Sequence, residues 1–414
     1  MRVVPIENIV SVLNQFGGSA KLSRDIIYLS ARGMRIRFAA KGIEISHKQV
    51  ERLNNLGIDY VFLQDPLCGE ELELVVDEDT RVALRAMLED LIARCGVVLD
   101  LFLEEKGKDA KLDYTFRDYW QRYSNLPFNT LQKYRKILQD LTYVVRAHYT
   151  QRKVSPLPNV YTDSNFRINH GINVAIISGI IALHYGEFNS DRMFYLISGA
   201  LLTDVGFVDT AWSLSSPRGE EFFFRHPRVG CMLINETDVF SPQMGIIALE
   251  HHRYLNNSGY PDDIPEKDFY GYPRQMHLYS KIVSVAETFE SLRWIYNPIK
   301  VLMAMKKFIG TLFDEKALNL LERYVSPYYV GERVILASGE VGLVLSVRMA
   351  GEMRVLVVED IKGNRYSIGK EVVIKELDKE IKGVAVDSDD PDLKQKILRL
   401  IPDDLLRELG DEKE

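Results

Sequence analysis

Two histidines stand side by side in Glu250-His251-His252-Arg253-Tyr254-Leu255-Asn256-Asn257-Ser258-Gly259-Tyr260-Pro261, and the whole chain holds only 8. Neutral imidazole is among the commonest ligands of transition metals, so an adjacent pair is first of all a candidate metal site. A helical run from Met244 to Glu250 aims the pair at one place, and the polar Asn-Asn-Ser segment and the Gly-Tyr-Pro turn then end the helix. Neighbouring side chains on a helix point about 100° apart, so the two rings are expected to serve two adjacent ions more readily than one.

A histidine pair, a short spacer and Gly-Tyr-Pro form the pattern of the HD-GYP family, which this chain resembles by motif over roughly residues 160 to 300 and by layout over its length. The resemblance implies an all-α domain of the HD superfamily of metal-dependent phosphohydrolases, holding two or three ions and hydrolysing cyclic di-GMP. It also implies a ligand set. His170 matches the first histidine, Asp204 the aspartate of the His-Asp dyad, and His226, in His226-Pro227-Arg228-Val229-Gly230, the next ligand. His251 and His252 match the pair, and Glu287 falls where the last aspartate of the family stands. Asp204 is the expected bridge and catalytic carboxylate, with His226 and His251 on one ion and His170 and Glu287 on the other. Arg253, Arg228 and Lys281, with Gly259, Tyr260 and Pro261 of the turn, are expected beside the substrate. The cofactor implied is a divalent metal, iron, manganese or zinc.

Phosphodiester cleavage needs a nucleophile at neutral pH and neutralisation of an anionic phosphate, and two ions about 3.5–4 Å apart supply both. Against that requirement the chain departs from the family pattern. Thr203 stands where the dyad has histidine, Phe166 where three-metal members place a glutamate, Phe207 where a lysine trails the dyad, and Asn173 where an arginine follows the first histidine. Asn256-Asn257 replaces Asp-Gly, and Trp294-Ile295-Tyr296-Asn297-Pro298 replaces the Asp-Arg-Pro-Tyr region. Losing one metal ligand or its support commonly lowers affinity or activity ~10- to 100-fold. The expectation is a degenerate HD-GYP signalling protein of the cyclic di-GMP system, holding fewer ions, with reduced or absent phosphodiesterase activity. The alternative is an active phosphodiesterase that yields pGpG or GMP.

The elements that carry these residues read as a mainly α protein. Helices are expected from about Ser164 to Tyr185 and Ser190 to Leu202, with others carrying His226, the pair and Glu287. Two Pro residues, Pro156 and Pro158, mark the entry to this core of residues 154–327, and packing helices fill 79–153. Residues 1–78 read as a small α+β domain: a strand over Arg35–Phe38, a helix capped by Ser46 through Gln49, Leu53 and Leu56 and stopped at Gly57, then a strand over Ile58–Leu63. Its Arg32, Arg35, Arg37 and Lys41 read as a solvated strand face in preference to a docking patch. Strands at Glu332–Ala337, Val341–Val347, Met353–Glu359 and Glu371–Lys375 suggest a small SH3-like β-barrel over 328–385. An acidic tail follows, with Asp387, Asp389 and Asp390 before a short amphipathic helix (Leu393, Ile397, Leu400, Ile401), and reads as mobile or partner-binding. His148 has no metal-ligand spacing and stays outside the site, and His184 and His277 lack motif partners and read as structural.

Composition bounds the partners. With 46% hydrophobic and 27% charged residues the chain is ordinary globular protein, and a net charge of −7 argues against broad binding to nucleic acid or anionic membrane. The 3 cysteines, Cys68, Cys95 and Cys231, are scattered, as reduced thiols of a cytoplasmic protein would be. No signal peptide is read at Met1-Arg2-Val3-Val4-Pro5, and the most apolar stretch, Ile172–Leu183, falls short of the ~20 residues of a membrane span. The partners this allows are cyclic di-GMP, proteins met through the N-terminal domain, the Gly-Tyr-Pro turn or the tail, and a second copy in a homodimer.

Overall fold

Contacts divide the chain into two compact units, one of residues 1–74, 152–161 and 326–387, the other of 75–151, 162–325 and 388–414. The computed structural model describes residues 2–5, 9–10, 13, 19–22, 25–29, 35–39, 44–55, 60–64, 78–107, 114–147, 155–156, 166–207, 217–237, 240–262, 264, 274–347, 352–385 and 393–410. Arg32, Lys41, Leu56, Gly57, Cys68, His148, Pro158, Asp387, Asp389 and Asp390 lie outside them, as do the side chains of Arg35, Arg37, Leu53, Phe166 and Leu393.

The first unit is built of short antiparallel strands. They are β1 (Arg2–Pro5), β2 (Ser19–Lys21), β3 (Asp25–Leu29), β4 (Arg35–Ala39), β5 (Glu44–Ser46) and β6 (Tyr60–Gln64), with α1 (His47–Asn55) after β5. One sheet runs β1-β6-β3-β4, and β2 pairs with β5. The Ser46 amide donates to Oε1 of Gln49 at 2.8 Å, half of a capping box, which starts α1 where the sequence places it. Later come β7 (Arg333–Leu336), β8 (Val341–Val347), β9 (Met353–Glu359), β10 (Arg365–Ile374) and β11 (Ile381–Val384), in the order β10-β9-β8-β7-β11. All of these pairings are antiparallel. Strand β10 starts earlier than its sequence pattern suggests, because the extra residues pair across a bulge between Arg365 and Lys370.

The second unit is helical in every named element. Its helices are α2 (Glu78–Lys106), α3 (Tyr114–Tyr123), α4 (Phe128–Ala147), α5 (Phe166–Tyr185), α6 (Ser190–Leu201), α7 (Pro217–Asn235), α8 (Pro242–Glu250), α9 (Leu278–Leu292), α10 (Pro298–Lys306), α11 (Glu315–Tyr324), α12 (Leu393–Arg399) and α13 (Asp403–Leu409). Helix α5 is the centre. It is buried on all its faces, as a helix without a polar side must be. It is longer than its apolar stretch suggests: Ile168–Tyr185 is long and apolar enough to cross a membrane, and 89% of it is buried inside the fold. That burial makes it a core helix.

The tail differs from expectation. In α12 and α13 the side chains of Ile397, Ile401, Leu405 and Leu406 are buried, and Glu408 pairs with Lys307 just past α10, so residues 393–410 are folded onto this unit. Apolar residues at helical spacing found a partner surface in the same chain. Cys95 and Cys231 are unpaired thiols, and burial pushes the Cys95 thiol well up.

Candidate metal centre

The turn after α6, a single 3-10 turn over Thr203–Gly206, meets α7 at its closest point. A Cβ on Gly206 would lie 2.2 Å from the His226 carbonyl oxygen, so only glycine lets the two backbones approach this far. That contact brings Asp204 to His226. Helix α8 delivers the pair from the other side: it ends at Glu250, with His251 as its C-cap and His252 in the turn beyond.

The ligand atoms of Asp204, His226, His251 and His252 all lie within 4.8 Å of one another. Because His252 has left the helix, the pair converges, correcting the expectation that the two rings diverge; their centroids are 4.0 Å apart. His226, His251 and His252 are at most 2% exposed and Asp204 is 9% exposed, so solvent reaches the cluster past the carboxylate.

Tautomers follow from the hydrogen bonds. His226 donates from Nδ1 to the Phe223 carbonyl at 2.6 Å, and His251 from Nδ1 to the Ala248 carbonyl at 2.7 Å. A carbonyl only accepts, so in both neutral rings Nε2 carries a lone pair. Both acceptors are carbonyls that the helix leaves over. The amide that would bond Phe223 belongs to residue 227, which is proline inside α7, and Ala248 is among the last four carbonyls of α8.

These two Nε2 atoms face each other at 3.0 Å, and each lies 3.6 or 3.7 Å from Oδ1 of Asp204. Two lone pairs so close repel unless a cation stands between them, and three donors at these separations can all reach one ion at the ~2.0–2.2 Å of nitrogen and oxygen ligands. The residues therefore fit a divalent metal. His252 adds a buried Nε2 without a hydrogen-bond partner, and burial together with the neighbouring histidines holds its pKa well below the ordinary value, so it is neutral. Burial opposes charge on Asp204, yet protons on His251, His226 and His170 would hold its carboxyl below the usual range, a part that a bound cation takes over when the first two rings are neutral.

His170 and Glu287 are brought to each other: Nε2 and Oε1 lie 2.7 Å apart, both side chains 3% exposed. Ser291 donates to the same oxygen at 3.1 Å, and Oε2 of Glu287 has no partner. Burial works against a charged His170, but Glu287, with Asp204 and Glu290 behind it, carries its pKa up to about 9. Among the departures from the family pattern, Thr203, Phe207, Asn173, Asn256 and Asn257 each have a place. Thr203 is buried and donates its hydroxyl back to the Ala200 carbonyl at 3.1 Å. Phe207 stacks on the His226 ring at 3.6 Å, and Asn173 donates to Glu290 at 2.8 Å. Asn257, at φ 65°, takes a left-handed conformation that glycine favours, at the position where the family pattern has glycine, and Asn256 accepts from the Ser258 amide as an aspartate would.

The Gly-Tyr-Pro turn closes onto the cluster. Gly259 has φ +91°, and a Cβ there would lie 2.1 Å from the His252 carbonyl oxygen. Tyr260 stacks its ring on His252 at 4.6 Å; its hydroxyl is buried without a partner, and burial pushes its pKa well up, so it stays a neutral phenol. The Tyr260–Pro261 peptide is cis, and Pro261 is buried. Arg253, 4% exposed, turns onto this loop toward Oδ1 of Asn257 at 3.4 Å. Arg228 is half-buried two positions after His226 in α7, and Lys281 half-buried two turns before Glu287 in α9. His277 caps α9 by accepting from the Tyr279 amide, and His184 stacks on Tyr324, both structural uses. The parts that Pro227 and Phe207 play at the His226 ring were missed in the sequence; proline directly after a histidine in a helical pattern is the signal that points to the freed carbonyl.

No family model matches the chain. Over 108 residues it is 30% identical to the cyclic di-GMP phosphodiesterase response regulator RpfG of Xanthomonas campestris pv. campestris strain 8004. The match supports an HD-GYP-type protein over the stretch it covers. The matched stretch is 24% of this chain and 26% of RpfG, so the likeness spans about a quarter of that relative. Among solved structures the chain is similar to Bd1817, an HDG"Y"P protein from Bdellovibrio bacteriovorus, at 16% identity and a TM-score of 0.34, covering 73% of this chain and 94% of that one. A likeness that loose adds nothing to the argument.

Proposed function

We propose that this chain is a metal-binding signalling protein of the cyclic di-GMP system whose phosphodiesterase activity is reduced or absent. One contrast carries the reading. Asp204, His226 and His251 aim three donor atoms at a common point, whereas Thr203 turns its hydroxyl onto Ala200 and His170 is bonded to Glu287. The intact triad supports one tightly held ion, and the His170–Glu287 pair supports a weakened second position or none. An ion on the triad would supply Lewis-acid polarisation of a phosphate oxygen and a bound water of lowered pKa. The chain itself supplies orientation: the Phe223 and Ala248 carbonyls hold the two lone pairs inward, and Phe207 and Tyr260 stack on His226 and His252 and keep water from those faces.

That the matched relative is a cyclic di-GMP phosphodiesterase supports the same nucleotide as ligand here. The alternative, an active phosphodiesterase, is favoured by the preserved cluster and turn. Calorimetry with cyclic di-GMP on metal-loaded chain, followed by assay for linear product, separates the two. Metal-dependent binding with little or no product is expected; rapid product formation would establish the active enzyme, and no binding with or without metal would overturn both.

A further inference from the structure

Outside Tyr260 lies a groove of about 460 Å3, within the range of nucleotide-sized sites. One wall is the Gly259–Tyr260 turn with Phe224 and Tyr254, and the other is the folded tail from Arg399 to Arg407. Tyr260 belongs to both places, since it lines the groove and its ring stacks on His252 of the cluster.

The charges of the tail decide what fits. Arg399 and Arg407 line the groove together with Asp403 and Asp404. A phosphate there would meet a carboxylate for every guanidinium. A flat neutral base with acceptors on one edge and donors on the next would use both kinds of group. Guanine is such a base: O6 and N7 accept from an arginine fork, and N1–H with the 2-amino group donates to a carboxylate. Adenine, which offers its donor and acceptor in alternation, suits asparagine or glutamine instead. Aromatic side chains such as Phe224 and Tyr260 give a base an apolar surface to lie against. The Arg407–Asp404 ion pair, 2.9 Å long, is 64% and 70% exposed, and a pair so wet opens to a ligand at little cost.

We propose that this groove is a guanine subsite completed by the C-terminal tail, with Tyr260 and Phe224 as its aromatic wall and Arg399, Arg407, Asp403 and Asp404 reading the base edge. It rests on the reading that a guanine nucleotide binds at the metal centre. The test is calorimetry of full-length, metal-loaded chain with GMP, AMP and cyclic di-GMP, using the parent and two double variants, Asp403→Asn with Asp404→Asn and Arg399→Gln with Arg407→Gln. The parent should prefer GMP over AMP by about 10-fold or more, the scale of one bidentate base contact. Both double variants should lose that preference at unchanged metal content and melting temperature. If a variant does not fold, the base preference of the parent decides. Equal affinity for GMP and AMP in the parent, or a preference that survives in both variants, overturns the subsite alone while metal-dependent binding of cyclic di-GMP persists. Absence of binding by all three nucleotides overturns the subsite and the metal-centre reading together.

Discussion

Phe223 turns its carbonyl oxygen to Nδ1 of His226, 2.6 Å away, and it is available because position 227 is a proline and has no N–H to give. A residue that ordinarily weakens a helix thus fixes the tautomer of a histidine in the candidate metal centre. Pro227→Ala restores the competing amide. Metal affinity should fall about 10-fold, the lower end for an outer partner of a ligand, while the melting temperature of the chelated protein holds or rises. Titration of the apo-protein with zinc or manganese measures the first and calorimetric scanning the second. Unchanged affinity would mean that the proline does not set the ring.

The Gly259 backbone and the His252 carbonyl leave no space for a side chain. Gly259→Ala should destabilise the protein by about 1–3 kcal/mol through strain at a positive φ and should also weaken metal binding, because Tyr260 loses its stack on His252. Asn257→Gly tests the other left-handed position, where the backbone already suits glycine. Its stability should stay within about 0.5 kcal/mol of the parent in chemical denaturation, and a large loss there would mean that the Asn257 side chain, which accepts from Arg253, holds the loop.

Glu287→Gln addresses whether His170 and Glu287 form an internal pair. Removing one charge of a buried pair should cost about 3 kcal/mol, the low end for such a break because an imidazolium can shed its proton. The cost should be the same with and without chelator. A loss that appears only in metal-loaded protein would make Glu287 a ligand.

Much of this was legible in the sequence where the signal was local. The histidine pair, the Gly-Tyr-Pro turn, α5, α6, β8 and β9 fall where residue types and spacing put them, since each depends on neighbours in the chain. Strands β1, β2, β3, β5 and β11 were not legible. They are 3 to 5 residues long and gain their order from pairing across the sheet, which no short window carries. The divergence expected of His251 and His252 failed because α8 stops one residue before them. The His170–Glu287 pair joins residues 117 positions apart, and motif positions name both without saying that they bond to each other. The tail read as mobile or partner-binding because its apolar residues have no partner in the sequence, only in the fold.

Metal stoichiometry tests the account most directly. Elemental analysis of the purified full chain, repeated on His226→Ala and His251→Ala, should find about one tightly held divalent ion per chain in the parent and none in either variant. A parent that holds no ion, and whose thermal stability ignores added iron, manganese and zinc, would contradict the triad; a parent that holds two or three would contradict the reading that Thr203 and the His170–Glu287 pair have cost the site its second position.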